Sequence, residues 1–171
     1  KGVHGIEHPA GSLGHGLSVA CGMAKGAKLT GRPYNTYAVI GDGESNEGSI
    51  WEAVMFAAQH KLDNLVAVVD ANGFQYGGPS AELMNMEPLD QKWRAFGWDV
   101  KEVNGNDIAQ LQQALDPAQR AKEKPTCVIA RTVKGYGVSL FAGTNEWHHG
   151  VITREVFNTA IKELESQEVS A

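Results

Sequence analysis

Residues 34–73 read YNTYAVI, GDGESNEG, SIWEAVMFAAQH, KLDN and LVAVVDANG when they are divided where their pattern changes. The first and last segments are rich in β-branched or aromatic residues, which is typical of buried strands. The middle segment places Ile50, Val54 and Ala57 at helical spacing, so it predicts a helix over residues 49–60. A strand, a helix and a second strand in this order predict a parallel pair joined by a right-handed crossover.

The same alternation continues on both sides of this stretch. Apolar residues at helical spacing predict three further helices, at about residues 14–28, 89–96 and 108–122. Asp107 is the predicted N-cap of the third, and Val156, Ile161 and Leu164 predict a closing amphipathic helix. Two more strands are predicted at residues 98–103 and 126–132. We expect one domain of three-layer α/β/α architecture, in which helices cover both faces of a mostly parallel sheet.

Composition narrows the classes of partner. The net charge is −5 and the sequence has no basic cluster, which argues against nucleic acid or an anionic membrane as a partner. No apolar run reaches the length that spans a membrane. Cys21 and Cys127 lie far apart in apolar stretches, as is typical of reduced core thiols. We therefore expect a cytoplasmic protein.

Oxygen-bearing side chains follow the two strands of the opening stretch. Asp42 lies between two glycines after the first strand, and Asn72 comes just after Asp70 at the end of the second. Parallel sheets bind ligands at the carboxyl ends of their strands, and Mg²⁺ prefers hard oxygen ligands combined with phosphates. Gly-Asp-Gly alone is typical of an ordinary turn. Its place between a strand and a helix, with an asparagine after the next strand, favours a site for a divalent cation and a diphosphate.

At these residues the chain resembles the thiamine diphosphate enzymes, and among them the transketolases. Residues 41–43 together with Asn72 resemble the diphosphate and metal motif of that family. Further segments are similar to transketolases in the same order: GSLGHGLS at 11–18, EGSIWEA at 47–53, LDNL at 62–65, WRAFGW at 93–98, KGYGV at 134–138 and EWH at 146–148. The resemblance covers nearly the whole chain, and its combined specificity is high.

The resemblance implies a cofactor and a metal ion at matching positions. Asp42 and Asn72 would bind Mg²⁺, or Ca²⁺ or Mn²⁺, through their side chains, and Phe74 through its backbone carbonyl. Residues 11–13 match the segment along the aminopyrimidine ring, and the glycines of residues 41–43 would let the diphosphate approach. The residues implied to bind thiamine diphosphate are Gly11, Ser12, Leu13, Gly41, Asp42, Gly43, Glu44 and Asn72.

Three residues are implied as catalytic candidates: Glu47, His148 and His149. Glu47 matches a family glutamate at the subunit interface, and Glu52 is similarly placed. A solvated first helical turn is the alternative for both glutamates, since carboxylates favour the positive end of a helix dipole. One histidine of the pair matches the family histidine near the diphosphate and the sugar hydroxyls. The preceding tryptophan favours His148, and the following glycine favours His149.

The resemblance also indicates what the sequence lacks. In transketolases, the glutamate that hydrogen-bonds the aminopyrimidine ring belongs to a second domain, which is absent here. We therefore expect residues 1–171 to be a diphosphate-binding domain without the family's N-terminal start. It is either a shortened subunit of a split transketolase or a fragment of a longer one. The implied partners are a pyrimidine-binding C-terminal transketolase subunit, a second copy in a dimer within a heterotetramer, and a sugar phosphate substrate.

The leading hypothesis for function is transfer of a two-carbon ketol unit from a ketose phosphate to an aldose acceptor, with no activity in the isolated chain. One alternative is the alpha subunit of a 2-oxoacid or acetoin dehydrogenase, which shares Gly-Asp-Gly-x-x-x-Glu-Gly. The single asparagine of residues 70–73 and the segment at 134–138 argue against it. A second alternative is a non-catalytic scaffold domain, against which the intact Asp42 and Asn72 argue.

Overall fold

A computed structural model describes residues 4–9 and 11–168 of the chain. Helices and strands alternate along most of this part. The helices are α1 (Gly16–Thr30), α2 (Gly48–Gln59), α3 (Ser80–Leu83), α4 (Leu89–Ala95), α5 (Ile108–Leu115) and α6 (Arg154–Glu168). The strands are β1 (Thr36–Gly41), β2 (Leu65–Ala71), β3 (Phe74–Gln75), β4 (Gly78–Pro79), β5 (Asp99–Asn104) and β6 (Thr126–Arg131). Short 3₁₀ helices lie at Glu44–Asn46, Pro117–Gln119 and Glu146–His148.

The main sheet has four parallel strands in the order β1-β2-β6-β5. Its register places Gly41 beside Asp70 and Asp70 beside Ala130. Because the strands are parallel, the loops that follow β1, β2 and β6 leave the sheet at the same edge. The second sheet is the short antiparallel hairpin β3-β4, which follows β2 directly.

The main core lies on one face of the sheet, beneath α1, α2 and α4. Alternate residues of β1 and β2, such as Ile40 and Val69, point into it together with Leu17, Val54 and Trp93. These five side chains are at most 2% exposed. Alternation along β1 follows from the period of two that a strand imposes on its side chains. The core therefore holds the carboxyl ends of β1 and β2 in fixed positions.

The opposite face is covered less completely. Ala114 of α5 packs against Val66 and Val128, which lie on the central strands. On β1, Tyr37 is 49% exposed and Val39 is 75% exposed. The three-layer α/β/α class is confirmed, but the expectation of full cover on both faces is wrong at β1. Among the described residues, α5 ends at Leu115, and the cover that follows it on β1 includes Arg120 over the Tyr37 ring.

Most element ends lie within one or two residues of the predicted ones. The Asp107 N-cap is confirmed, since its carboxylate accepts from the N–H of Gln110 at 3.1 Å. The prediction that this helix reaches residue 122 is wrong, because it ends at Leu115 before Pro117. The hairpin β3-β4 and α3 were not predicted. No helix among residues 4–9 and 11–168 is long and apolar enough to cross a membrane.

Candidate cofactor and metal site

Asp42 follows β1 and is 8% exposed. Its N–H donates to the carbonyl of Asp70 at 3.1 Å, which extends the pairing of β1 with β2. Its Oδ1 accepts from the N–H of Gly43 at 2.9 Å, and its Oδ2 accepts from the N–H of Gly73 at 3.0 Å and from the Ser80 hydroxyl at 3.2 Å. A carboxylate offers about four lone-pair positions. These three bonds therefore leave one position on Oδ1 for a ligand.

Burial raises the pKa of Asp42, hydrogen bonds from Gly43, Gly73 and Ser80 oppose the rise, and the charge of Asp70 adds to it. None of the ion pairs among the described residues includes Asp42. A buried carboxylate without a counter-ion is costly to keep charged. A bound cation would supply the missing opposite charge.

Asn72 and Phe74 offer two further oxygens in the segment that follows β2. Asn72 Oδ1 accepts from the N–H of Phe74 at 3.0 Å, while Asp42 accepts from the preceding N–H, that of Gly73. The two side chains thus accept from the N–H groups of consecutive residues. Phe74 pairs with Pro79 across the β3-β4 hairpin, and Pro79 has no N–H to donate to the Phe74 carbonyl.

The resulting donor set is made of oxygen atoms: Asp42 Oδ1, Asn72 Oδ1 and the Phe74 carbonyl. No group of three His, Cys, Asp or Glu side chains that could hold a metal occurs among residues 4–9 and 11–168. Binding would therefore depend on the amide and carbonyl oxygens as well as on Asp42. Such hard ligands suit Mg²⁺, Mn²⁺ or Ca²⁺ and do not favour soft metals. The residues present fit the predicted cation.

The turn at residues 11–15 is fastened to the segment that follows Asp42. The N–H of Gly14 donates to Glu44 Oε1 at 2.8 Å, and its carbonyl accepts from the Ser49 hydroxyl at 2.9 Å. Glu44 Oε2 accepts from the N–H of Gly41 at 3.2 Å. Both oxygens of Glu44 are thus engaged by backbone groups. Its contacts position the turn and the end of β1, a role that the predicted cofactor contact did not anticipate.

The predicted aminopyrimidine segment, residues 11–13, lies at the surface beside this anchored turn. Leu13 is 60% exposed, and a Cβ added to Gly11 would meet no atom within 4 Å. The segment therefore has open space next to it. Gly43 is different, since a Cβ there would lie 3.0 Å from Cγ of Gln75. A side chain at position 43 would therefore press against β3, whatever the role of this glycine toward a ligand.

The two histidines lie on the 3₁₀ turn at residues 146–148 and just after it, and both are exposed. Nδ1 of His148 lies 3.2 Å from Nζ of Lys134, and its ring meets the Tyr76 ring edge-on at 5.7 Å. Asn145 also donates to the Tyr76 carbonyl at 3.0 Å. Burial lowers the pKa of His148, and the positive charges of Lys134 and His149 lower it further. His148 is the histidine that packs against the loop after β3.

Glu47 and Glu52 lie at the start of α2 and are exposed. Glu47 is the N-cap residue, but its side chain accepts no capping hydrogen bond. Met55 and Phe56 of the same helix are 50% and 41% exposed. This placement is compatible with both roles considered for the glutamates, an interface and a solvated helix turn.

Residues 1–165 match the family described as transketolase, thiamine diphosphate binding domain. The chain belongs to this family. It is 46% identical over 162 residues to a subunit of the apulose-4-phosphate transketolase of Phocaeicola vulgatus, a match that covers 95% of this chain and 58% of that protein. It is 42% identical over 163 residues to a subunit of the 6-deoxy-6-sulfo-D-fructose transketolase of Clostridium sp., covering 95% and 59%. The chain thus spans less than two thirds of the length of these relatives.

Solved transketolases share the fold. The transketolase from Campylobacter jejuni has a TM-score of 0.86 at 30% identity, over 94% of this chain and 26% of that one. The transketolase from Leishmania mexicana has a TM-score of 0.84 at 29% identity, with the same two shares. These similarities confirm the predicted family, the fold class and the thiamine diphosphate cofactor.

The structure thus brings Asp42, Asn72 and Phe74 together and packs residues 11–15 on Glu44. Their roles toward a ligand stay predictions. Ser80 and Asp70 contact this group and were missed from the sequence. Ser80 follows an unpredicted hairpin, so nothing in its surroundings marked it. For Asp70, the available signal was its position at the carboxyl end of a predicted strand, two residues before Asn72.

Proposed function

We propose that this transketolase-family chain holds the diphosphate of thiamine diphosphate through Mg²⁺, as one subunit or part of a transketolase. The observation that carries the proposal is the set of three oxygens at Asp42, Asn72 and Phe74, each with an acceptor position to spare. When bound, the cofactor supplies the carbon nucleophile for transfer of a two-carbon ketol unit from a ketose phosphate to an aldose acceptor.

The chain's own residues would bind and orient the cofactor. Asp42 and Asn72 would hold the cation, which offsets the negative charge of the diphosphate. The turn at residues 11–13 would support the aminopyrimidine ring, since Glu44 and Ser49 fix the adjacent Gly14. These contacts would hold the segment for the ring in place relative to the end of β1, where the cation and diphosphate would lie.

His148 is the better candidate of the two histidines for contact with the substrate. A lysine ammonium group only donates hydrogen bonds, so Nδ1 of His148 accepts from Lys134. The neutral ring then carries its hydrogen on Nε2. Because the pKa of His148 is lowered, the neutral form is favoured near neutral pH. Nε2–H would donate to a hydroxyl or phosphate oxygen of the sugar phosphate, with His149 as the alternative donor.

The proposal includes partners and a location. Both relatives described above are named as subunits of a transketolase, which supports a separate partner here, the pyrimidine-binding C-terminal subunit. Exposed Glu47 and Glu52, beside exposed Met55 and Phe56, support contact with a second copy in a dimer within a heterotetramer. The isolated chain would be inactive, and the complex would be cytoplasmic.

The test is reconstitution with a pyrimidine-binding transketolase subunit, followed by assays with a ketose phosphate and with pyruvate. We expect ketol transfer that requires thiamine diphosphate and Mg²⁺ and that is lost in Asp42→Ala. Turnover of pyruvate alone would favour a 2-oxoacid dehydrogenase subunit instead. A complex that binds no cofactor would favour the scaffold alternative. The family match favours the transketolase activity.

A further inference from the structure

Asp70 is the penultimate residue of β2 and is hydrogen-bonded to the candidate ligand Asn72, and the proposed function gives its side chain no role. The β1-β2 register places it beside Gly41, next to Asp42. Its Oδ2 accepts from Nδ2 of Asn72 at 3.2 Å, and its Oδ1 accepts from the hydroxyl of Thr132. Both carboxylate oxygens are therefore directed to specific donors, and one of these donors belongs to a predicted cation ligand.

The two partners of the Asn72 carboxamide have opposite hydrogen-bonding character. On one side is the Phe74 N–H, which only donates, and on the other is the Asp70 carboxylate, which only accepts. Rotating the carboxamide by half a turn would set donor against donor and acceptor against acceptor. The hydrogen-bonding character of both neighbours therefore fixes which end of the carboxamide carries the oxygen and which the nitrogen. It directs the oxygen toward the Phe74 N–H and away from Asp70.

Thr132 holds the side chain of Asp70 in place, as Asp70 does that of Asn72. It follows β6, the next strand of the sheet, and its N–H donates to the Ala71 carbonyl at 3.4 Å. Its methyl group lies against Gly105, just after β5, where an added Cβ would collide with it and would lie 2.9 Å from Cβ of Ala130. The missing side chain at Gly105 therefore makes room for Thr132. The ends of β2, β5 and β6 contribute to one arrangement around Asp70.

We propose that Asp70, held by Thr132, is a positioning residue that keeps the Asn72 oxygen turned toward the cation. The inference rests on the proposed role of Asn72 as a ligand. Without Asp70 only the Phe74 N–H would hold the carboxamide, and the barrier to presenting Nδ2, which cannot bind a cation, would fall. Groups that orient metal ligands in this way typically contribute about 10- to 100-fold in metal affinity. Asp70 would thus act through Asn72, without touching the cation.

The test measures binding of Mn²⁺, added with thiamine diphosphate, to the 171-residue chain by electron paramagnetic resonance. Asp70→Ala should weaken binding by about 10-fold or more, and Thr132→Val should weaken it less, since Asp70 would remain. Asp70→Asn removes the charge but keeps an acceptor for Asn72, so it should retain most of the affinity. Thr126→Val is the matched control, because Thr126 begins β6, the strand that Thr132 follows, and its buried hydroxyl has no hydrogen-bond partner. It should bind Mn²⁺ as the unmodified chain does.

A second readout needs no cation. The side-chain amide resonance of Asn72, assigned by its loss in Asn72→Asp, should move in Asp70→Ala and Thr132→Val but stay unchanged in Thr126→Val. A resonance that does not move, or Asp70→Ala and Thr132→Val binding Mn²⁺ like the unmodified chain, would overturn the positioning role. Equal loss in Asp70→Asn and Asp70→Ala would also overturn it, in favour of charge alone. If the unmodified chain binds no Mn²⁺, the proposed function fails, and the resonance still decides the role of Asp70.

Discussion

Gly14→Ala perturbs a position where the turn at residues 11–15 packs against the segment after Asp42. Gly14 has φ +78°, and an added Cβ would lie 2.6 Å from both Cβ of Glu47 and Oγ of Ser49. The N–H of Gly14 is bonded to Glu44 and its carbonyl to Ser49, so the backbone cannot move away without losing these bonds. The substitution therefore combines backbone strain with a steric clash.

The expected loss of stability follows from these two effects. A left-handed conformation costs a non-glycine residue roughly 1–2 kcal/mol, and overpacking costs typically about 1–3 kcal/mol. Taking about 3 kcal/mol in total, the midpoint of thermal unfolding should fall by about 6–12 °C in a chain of this size. Circular dichroism during heating, together with urea unfolding, would measure both quantities.

Gly22→Ala is the matched control for this substitution. Gly22 lies within α1, and a Cβ there would meet no atom within 4 Å. Alanine inside a helix should stabilise the chain by about 0.5–1 kcal/mol relative to glycine. The two substitutions should therefore change the free energy of unfolding in opposite directions. If Gly14→Ala is as stable as the unmodified chain, the close packing of this turn on Glu47 and Ser49 is refuted.

Individual side chains give three more outcomes to check. Asp42→Ala should abolish Mg²⁺-dependent binding of thiamine diphosphate in calorimetry, because the buried carboxylate is lost, and unchanged binding would contradict the metal assignment. Lys134→Met should raise the pKa of His148 in an NMR titration, because burial and, to a smaller extent, the charge of Lys134 lower it. An unchanged pKa would refute the contact between Lys134 and His148. Cys21 and Cys127 should resist thiol reagents at about pH 8 until the chain unfolds, because burial raises both pKa values, that of Cys21 to about 11. Rapid labelling of the folded chain would contradict this burial.

The main sheet could be predicted from the sequence because its strands are buried on at least one face. The run at residues 65–69 has nearly continuous burial in the structure, and such runs leave few alternatives to a central strand. The end of α5 was missed because apolar spacing continues past Leu115, whereas Pro117 stops the helix. Exposure of Val39 was unpredictable from β1 itself, since the pattern of a strand says nothing about what covers its second face.

The candidate site was partly predictable for a related reason. Asp42 and Asn72 each follow a predicted strand, and parallel pairing brings the ends of neighbouring strands together. Ser80 was out of reach, because two-residue strands have no periodicity to reveal the hairpin that returns it to Asp42. The hydrogen bond between Asp70 and Thr132 joins the ends of β2 and β6. It could not be predicted, because the local sequence pattern does not reveal that these two strands are neighbours in the sheet.

Three oxygens of this chain are proposed to hold the cation of a thiamine diphosphate site. The most direct test is an anomalous difference map at the manganese edge, from crystals grown with MnCl₂ and thiamine diphosphate. We predict one peak at about 2–2.3 Å from Asp42 Oδ1, Asn72 Oδ1 and the Phe74 carbonyl, by analogy with the distances of hard divalent cations. A bound diphosphate with its manganese peak away from these three oxygens would contradict the account.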